Sequence, residues 1–222
     1  WFLKKMAWAI NGAELYNIVI GKKSKRFDNY VFKSAKIHLT HIEGDSILAN
    51  EIIRSNAKFH YTPIYPSNTV TTNDFFPVLL PNKVKILAGN SNSINNNHFE
   101  IFKELKKFEN AIDSIITPLS YGHQLDYKQS VKEEGYKLFG DKFKPIEDFM
   151  SLDDYRDLLK SIDIAVFNHW RQEAMGVTLT LLSLGKIVYV NSNTTSFKSL
   201  TNRGFKIFDN NLLFIEGPTI QR

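Results

Sequence analysis

The chain has 222 residues, 43% hydrophobic and 23% charged, a composition typical of a globular protein with one large domain or two small ones. The net charge is +5, from 28 Lys and Arg against 23 Asp and Glu, and no nucleic-acid-binding motif accompanies this mild excess. The lack of cysteine excludes disulfides and thiolate chemistry, and no apolar run reaches the roughly 18 residues of a membrane helix.

The first part of the chain predicts an α/β pattern followed by a linker. Its predicted strands are 6–10, 36–39 and 57–61, and its predicted helix is 46–54. Four prolines, with Asn and Thr between them, indicate a linker over 63–81. Because three strands are few for a Rossmann-like domain, we expect residues 1–80 to be an N-terminal domain that lacks its opening strands.

From residue 82 onward, strands alternate with helices. The predicted strands are 84–88, 115–119, 163–167, 187–190 and 205–208. The first predicted helix has Phe99, Phe102, Leu105 and Phe108 on one face, and Gly135 ends the second. Ser151 and Asp154 cap the third, which has Leu152, Tyr155, Leu158, Leu159 and Ile162 along one face. The fourth covers 177–184 and is closed by Gly185, and the fifth covers 197–202. This alternation predicts a doubly wound parallel sheet in a second domain over 82–222.

The most informative segment runs from Ile164 to Thr178. It predicts a buried strand, a polar loop with His169, Arg171 and Gln172, and an apolar helix that Gly176 opens. Free N–H groups at a helix start attract anions, and the planar guanidinium of Arg171 matches phosphate oxygens. The segment therefore predicts a site for a nucleotide diphosphate.

Two other loops follow predicted strands. Gly89, Asn90 and Ser91 form either a ligand-binding loop or an ordinary βα turn, and the spacing favours neither. Glu14 either projects into a cleft as a proton acceptor or begins a helix, where its charge suits the helix dipole. His169 and Glu173 flank Arg171 and can titrate, although a structural histidine is the more common case.

Several motifs are absent from the sequence. It has no G-x-x-x-x-G-K-[ST], no G-x-G-x-x-G and no G-x-S-x-G, which argues against P-loop NTPases, nicotinamide-dependent enzymes and α/β-hydrolases. It also has no Asp-x-Asp, the carboxylate pair expected where a divalent metal binds a sugar-nucleotide diphosphate. We therefore expect Arg171 and the helix start to neutralise the diphosphate, with no cofactor.

Four segments in order resemble the bacterial family that contains TDP-N-acetylfucosamine:lipid II N-acetylfucosaminyltransferase, also described as 4-alpha-L-fucosyltransferase. These segments span nearly the whole chain: Trp8 to Tyr16, Leu87 to Ser91, Pro118 to Gly122 and Arg171 to Gly176. The family's pattern has an aspartate where this chain has Glu14, so the carboxylate is one methylene longer. Leu181 stands where many retaining enzymes of this fold have a second glutamate, which leaves the stereochemistry open.

The resemblance implies a GT-B fold, in which two Rossmann-like domains face each other across a cleft. It implies transfer of a deoxy-amino sugar from a nucleotide diphosphate to a polyprenyl-diphosphate-linked saccharide. It puts Glu14 among the candidates for proton handling, and we expect catalysis to rest on Glu14, His169 and Arg171. It places substrate binding on Gly12, Gly89, Asn90, Ser91, Tyr121, Gly122, Gln172, Glu173, Gly176, Val177 and Thr178.

These features predict a cytoplasmic glycosyltransferase at the inner face of the cell membrane. The basic cluster over 22–26 suits phospholipid headgroups, although a single short cluster is weak evidence and a solvated loop is the favoured explanation. The alternative function is a non-catalytic sugar-nucleotide or glycan-binding α/β module. Nucleic-acid binding rests on net charge alone, and we do not expect it.

Overall fold

In a computed structural model, which describes residues 5–21, 26–63, 81–122 and 124–216, the chain forms two parallel β-sheets flanked by helices. The predicted α/β class is confirmed. Residues 64–80, which hold most of the predicted linker, lie outside the described ranges, and so do residues 22–25 of the basic cluster. The division into domains at 80–82 therefore stays a prediction.

The N-terminal sheet has three strands in the order β1-β2-β3. Its strands are β1 (Ala7–Ala9), β2 (Ile37–Thr40) and β3 (Lys58–Tyr61), and its helices are α1 (Ala13–Val19), α2 (Arg26–Ser34) and α3 (Glu43–Ile53). Trp8, Ile10, Leu15 and Tyr16 form the centre of its small core. The predicted strands lie within one residue of these bounds at nearly every end, whereas the predicted helix begins three residues late.

The C-terminal sheet has six strands in the order β6-β5-β4-β7-β8-β9. Its strands are β4 (Val84–Ala88), β5 (Ile112–Pro118), β6 (Phe143–Ile146), β7 (Ile164–Phe167), β8 (Ile187–Val190) and β9 (Phe208–Asp209). Its helices are α4 (His98–Lys106), α5 (Leu125–Phe139), α6 (Leu152–Ser161), α7 (Met175–Ser183), α8 (Thr195–Asn202) and α9 (Asn210–Glu216). The chain order reverses between β4 and β7, the point at which doubly wound sheets bind ligands.

The alternation of side chains along β4 explains why helices cover both faces of this sheet. Ile86 and Ala88 pack against α4 and α5, whereas Leu87 packs with Leu159 of α6 and Leu181 of α7 on the opposite face. Both faces are apolar and fully covered, so the loops at the carboxyl edge are the places left for polar side chains.

Several details of the predicted helices and strands are wrong, among them the strand predicted over 205–208, of which only Phe208 lies in β9. Helix α5 continues through Gly135 and ends at Gly140. Gly135 lies against Phe143, whose ring atoms would come within 2.6 Å of a Cβ at that position, so the glycine serves close packing and not helix termination. Strand β6 was not predicted. Phe99 and Leu152 are largely exposed and do not belong to the buried faces assigned to them.

The two sheets meet through α3 and α8. Ile42 is fully buried among Met175, Leu179 and Leu200 of the C-terminal half. This contact fixes the loops of the two halves against each other. Across the described ranges, no helix combines the length and apolarity that a membrane span requires.

A buried hydrogen-bond cluster ties the halves together beside this contact. The Tyr16 hydroxyl donates to Asp45 Oδ1 over 3.0 Å, and the Thr195 hydroxyl donates to the same oxygen over 2.6 Å. Burial raises the pKa of the Asp45 carboxyl, which is 1% exposed. Tyr16 also lies edge-on to Trp170, so the cluster reaches the loop after β7.

Candidate active site

A cleft of about 510 Å³ lies at the carboxyl edge of the C-terminal sheet, and we call it the α7 cleft. All of its lining residues follow the carboxyl ends of β1, β4, β5 or β7, as the fold requires of a ligand site. They are Asn11, Ala13, Asn90, Ser91, Ser93, Tyr121 and the run 171–177. Of the predicted site residues, the cleft brings together Asn90, Ser91, Tyr121, Arg171, Gln172, Glu173, Gly176 and Val177.

The beginning of helix α7 forms one wall of this cleft. Ala174 precedes the helix with φ 57°, a left-handed conformation that is uncommon for alanine and costs roughly 1–3 kcal/mol. The first intrahelical hydrogen bond runs from Thr178 N to Ala174 O over 2.8 Å. The N–H groups of Met175, Gly176 and Val177 precede that bond and remain available to an anion. Thr178 itself is buried and its N–H group is engaged, so it does not offer the free amide expected of it.

Arg171 lines the cleft with its guanidinium held on one side. Its Nε donates to Glu173 Oε1 over 2.6 Å, and its Nη2 forms an ion pair with the same oxygen. Both side chains are mostly buried, at 16% and 15% exposure. Glu173 Oε1 also accepts a 2.8 Å hydrogen bond from Asn95 Nδ2. One edge of the guanidinium is therefore fixed, and the other edge is left for phosphate oxygens.

His169 is 2% exposed and lies outside the set of residues that line the cleft. Its Nε2 is 3.0 Å from Oδ1 of both Asn90 and Asn96. Because both partners are acceptors, Nε2 carries a proton and donates to them. Burial, with a smaller effect of Arg171, lowers the pKa of His169 to about 3, so the ring is neutral near pH 7. The geometry gives His169 the task of orienting Asn90, and its role as a base stays a prediction.

Glu14 stands in the first turn of α1, as the helix-start alternative described. Its Oε1 accepts hydrogen bonds from Asn11 N over 2.8 Å and from Trp8 Nε1 over 3.3 Å. These contacts shape the loop after β1, which places Asn11 and Ala13 in the cleft. A catalytic role for Glu14 remains a prediction.

Gly12 brings the N-terminal loop against the loop after β7. It has φ 94°, and a Cβ there would lie 2.8 Å from Gln172 Oε1. Only glycine tolerates both the positive φ and the lack of space for a Cβ. Gln172 in turn places its Nε2 3.3 Å from His41 Nε2. Gly12 and Gln172 therefore join the two halves beside the cleft.

The remaining predicted residues lie behind the cleft or at its rim. Gly89 turns the chain after β4 and packs on the His98 ring, and Gly122 packs on the Asn92 backbone. Tyr121 is 70% exposed at the rim. The prediction missed Asn11, Ala13, Ser93, Ala174 and Met175, although four of these five adjoin predicted residues in the sequence.

A smaller pocket of about 220 Å³ adjoins the α7 cleft and shares Asn90 and Tyr121 with it. Its other walls include Ile146, the last residue of β6, and Phe149 and Met150, which follow that strand. We call it the side pocket. Its residues were missed because the strand before them was missed. Elsewhere in the described ranges, no three His, Asp or Glu side chains converge where a metal ion could bind.

The site and the fold agree with a comparison against protein families. The model of one family, described as 4-alpha-L-fucosyltransferase, glycosyl transferase group 56, matches residues 3–212. The chain belongs to this 4-alpha-L-fucosyltransferase family. The match includes all four segments on which the sequence resemblance rests, so the predicted family is confirmed.

Solved structures similar to this family member are glycosyltransferases of the GT-B fold. Anabaena HepE, in complex with UDP and glucose, superposes with a TM-score of 0.64 at 12% identity, over 92% of this chain and 57% of that one. The alpha,alpha-trehalose-phosphate synthase (UDP-forming) of Burkholderia xenovorans, in complex with glucose-6-phosphate, gives 0.62 at 10% identity, over 86% and 54%. An E. coli trehalose-6-phosphate structure bound with UDP-2-fluoro glucose gives 0.61 at 8% identity, over 84% and 53%. The predicted GT-B fold is confirmed, and this chain spans about half the length of these structures.

Proposed function

We propose that this chain is the donor-binding part of a glycosyltransferase, with the α7 cleft as the site of the donor's diphosphate. The observation that carries the proposal is the convergence of Arg171 with the free N–H groups of Met175, Gly176 and Val177. A guanidinium and a helix start together favour a doubly charged group, and neither contributes a negative charge of its own.

The side pocket supports a nucleotide as the carrier of that diphosphate. It opens from the α7 cleft at Asn90 and Tyr121, and Phe149 and Met150 supply the apolar surface that a nucleobase needs. Two similar structures hold UDP or a UDP-sugar as their ligand. A nucleoside diphosphate sugar fits this pair of pockets better than a simple phosphate does.

The proposed chemistry is electrostatic stabilisation of a leaving group. When the bond between the sugar and the diphosphate breaks, negative charge builds on the phosphate oxygens. Arg171 and the α7 amides meet that charge without a metal ion. One such donor is typically worth about 3 to 4 kcal/mol in the transition state. Glu14 is the candidate for accepting the proton of the acceptor hydroxyl, and Glu173 holds Arg171 in place.

The donor sugar and the acceptor that we propose are those that the sequence resemblance implies. A deoxy-amino sugar resembling N-acetylfucosamine carries a methyl group, and Ala13, Met175 and Val177 give the α7 cleft apolar surface near the amides. The acceptor we propose is a polyprenyl-diphosphate-linked saccharide of bacterial surface polysaccharide synthesis, met by residues 1–80. Such an acceptor places the protein at the cytoplasmic face of the inner membrane.

A product assay tests the proposal. The purified protein is incubated with a nucleotide-activated N-acetylfucosamine and a polyprenyl-diphosphate-linked saccharide, and the lipid product is analysed by mass spectrometry. We expect the product to gain the mass of one deoxy-amino sugar. Nucleotide-sugar binding without any product would instead favour the non-catalytic binding module.

A further inference from the structure

A second cleft, of about 410 Å³, opens at the same sheet edge beside β7, β8 and β9. Seven of its eleven lining residues are asparagines, and we call it the asparagine cleft. The others are Ile94, Glu100, Trp170 and Asp209. Asparagine offers two donors and one acceptor on a short side chain, so this lining can both give and receive hydrogen bonds over its whole surface.

A buried acceptor in this cleft has no partner. Asn210 is 3% exposed, and its Nδ2 donates to Phe167 O over 3.2 Å and to Asn168 Oδ1 over 3.1 Å. Its Oδ1 receives no hydrogen bond from any described residue. Asn168 in turn donates to Glu100 Oε2 over 2.7 Å. Buried carbonyl oxygens are rarely left unpaired, so the Asn210 oxygen marks a place for one further donor, such as a bound water or a ligand hydroxyl.

The charge of the asparagine cleft excludes the ligand of the α7 cleft. Among the described residues, the only charged ones that line it are the carboxylates Glu100 and Asp209, and no described Lys, Arg or His does so. A phosphate or diphosphate would meet like charges there without compensation. The ligand is therefore not an anion, and the amide lining suits one that is neutral and rich in hydroxyl or amide groups.

Trp170 adds a flat apolar wall. It is 41% exposed, and its Nε1 donates to Asn95 Oδ1 over 3.0 Å, which fixes the ring. An exposed indole of this kind packs against the C–H face of a pyranose ring while polar neighbours bind the hydroxyls. Asn95 also donates to Glu173 of the α7 cleft, so it forms the wall between the two clefts.

We propose that the asparagine cleft binds a neutral saccharide unit, which stacks on Trp170 and donates a hydroxyl or acetamido hydrogen to Asn210. The binding does not depend on sugar transfer, so it can be measured even if the proposed function is wrong. It also gives the protein a saccharide contact on its C-terminal half.

Nuclear magnetic resonance of the indole Nε1–H groups tests this proposal. The chain has three tryptophans, so the Trp170 signal can be assigned from the variant Trp170→Phe. We expect titration with N-acetylglucosamine to shift the Trp170 signal saturably and to leave the Trp8 signal in place. The double variant Asn193→Ala/Asn211→Ala removes two exposed amides from the cleft and should weaken binding at least about tenfold.

The control is Asn17→Ala, which removes an exposed amide from α1, outside both clefts, and should leave the affinity unchanged. The melting temperature of each variant checks that it is folded. Absence of a saturable Trp170 shift overturns the proposal, as does an equal affinity in the double variant. A shift caused by Ca²⁺ and not by the sugar also overturns it, because the carboxylates would then form a cation site.

Discussion

The α7 cleft and the asparagine cleft share two loops, those after β4 and β7, and yet they differ in charge: the first holds the Arg171–Glu173 ion pair, and the second holds two carboxylates. The first combines Arg171 with the free amides of a helix start. The second combines amide side chains with Glu100 and Asp209, and no cation lines it in the part of the chain that the structure describes. A single residue, Asn95, contributes a hydrogen bond to each side of the wall between them.

On the proposed assignments, one sheet edge provides separate sites for the anionic diphosphate and for a neutral saccharide. Desolvated anions need fixed positive charge, which only the α7 side supplies. Neutral hydroxyl groups need many short donors and acceptors, which the other side supplies. The predictions that follow test this sorting, from the largest expected effect to the smallest.

Removal of the Arg171 guanidinium should weaken diphosphate binding in the α7 cleft and slow sugar transfer. Arg171→Ala should lower sugar transfer about 10² to 10³-fold, the loss typical of one charge-stabilising donor. Arg203→Ala is the matched control for nucleoside diphosphate binding, because this arginine lies over an aromatic ring and is outside the α7 cleft. Calorimetric titration should show weaker diphosphate binding in the first variant alone. Equal affinities in both variants would remove Arg171 from the site.

Low pH should lower the free energy of unfolding through protonation of His169, which lies behind the α7 cleft. Burial lowers the pKa of His169 to about 3 from the ordinary value of 6.5, so the folded state favours the neutral ring. The stability this provides is complete above pH 6.5 and is lost as the pH falls towards 3. Replacement by Gln should reduce the slope of unfolding free energy against pH in that window by up to about 1.4 kcal/mol per pH unit.

Chemical denaturation at several pH values measures that slope. His60→Gln provides the control, because His60 is an exposed histidine on β3. An unchanged slope in the His169 variant, or an equal change in the control, contradicts the assigned burial of the neutral ring.

Loss of the shared wall should affect both clefts together. Asn95→Ala removes the hydrogen bonds to Glu173 Oε1 and from Trp170 Nε1. We expect nucleoside diphosphate and N-acetylglucosamine each to bind about tenfold more weakly, since a hydrogen bond to a charged group is worth about 1.5–3 kcal/mol. Titration of both ligands measures this, with Asn17→Ala as control. A response of one ligand alone would show that Asn95 belongs to a single cleft.

Salt should separate the clefts without any mutation. Raising NaCl from low to high ionic strength should weaken nucleoside diphosphate binding roughly two- to fivefold, because Arg171 is partly accessible to screening ions. Binding of the neutral saccharide should hardly change. Equal salt dependence of the two ligands would contradict the division by charge.

The sequence predicted most strands and the loop after β7, because these depend on local patterns. β4 and β8 were predicted with their observed bounds, since continuous apolar runs mark buried parallel strands. β6 was missed because Pro145 and Lys144 interrupt its pattern, which an edge strand tolerates. Gly135 was taken as a helix end, because its contact with Phe143 depends on packing that no local pattern encodes.

The α7 cleft was largely predictable, and the asparagine cleft was not. Eight predicted residues line the α7 cleft because they cluster in three loops after recognisable strands. The ion pair between Arg171 and Glu173 and the burial of His169 depend on side-chain packing and were not foreseen. The asparagines come from four separate segments, each of which looks like an ordinary polar turn until the sheet brings them together.

The most direct measurement is a crystal structure of the protein with a bound nucleoside diphosphate. We predict a phosphate oxygen within about 3 Å of the N–H groups of Gly176 or Val177. We predict a second oxygen paired with the free edge of Arg171, and the base in the side pocket. A diphosphate bound in the asparagine cleft, or bound with Arg171 turned away from it, would contradict the assignment of the α7 cleft.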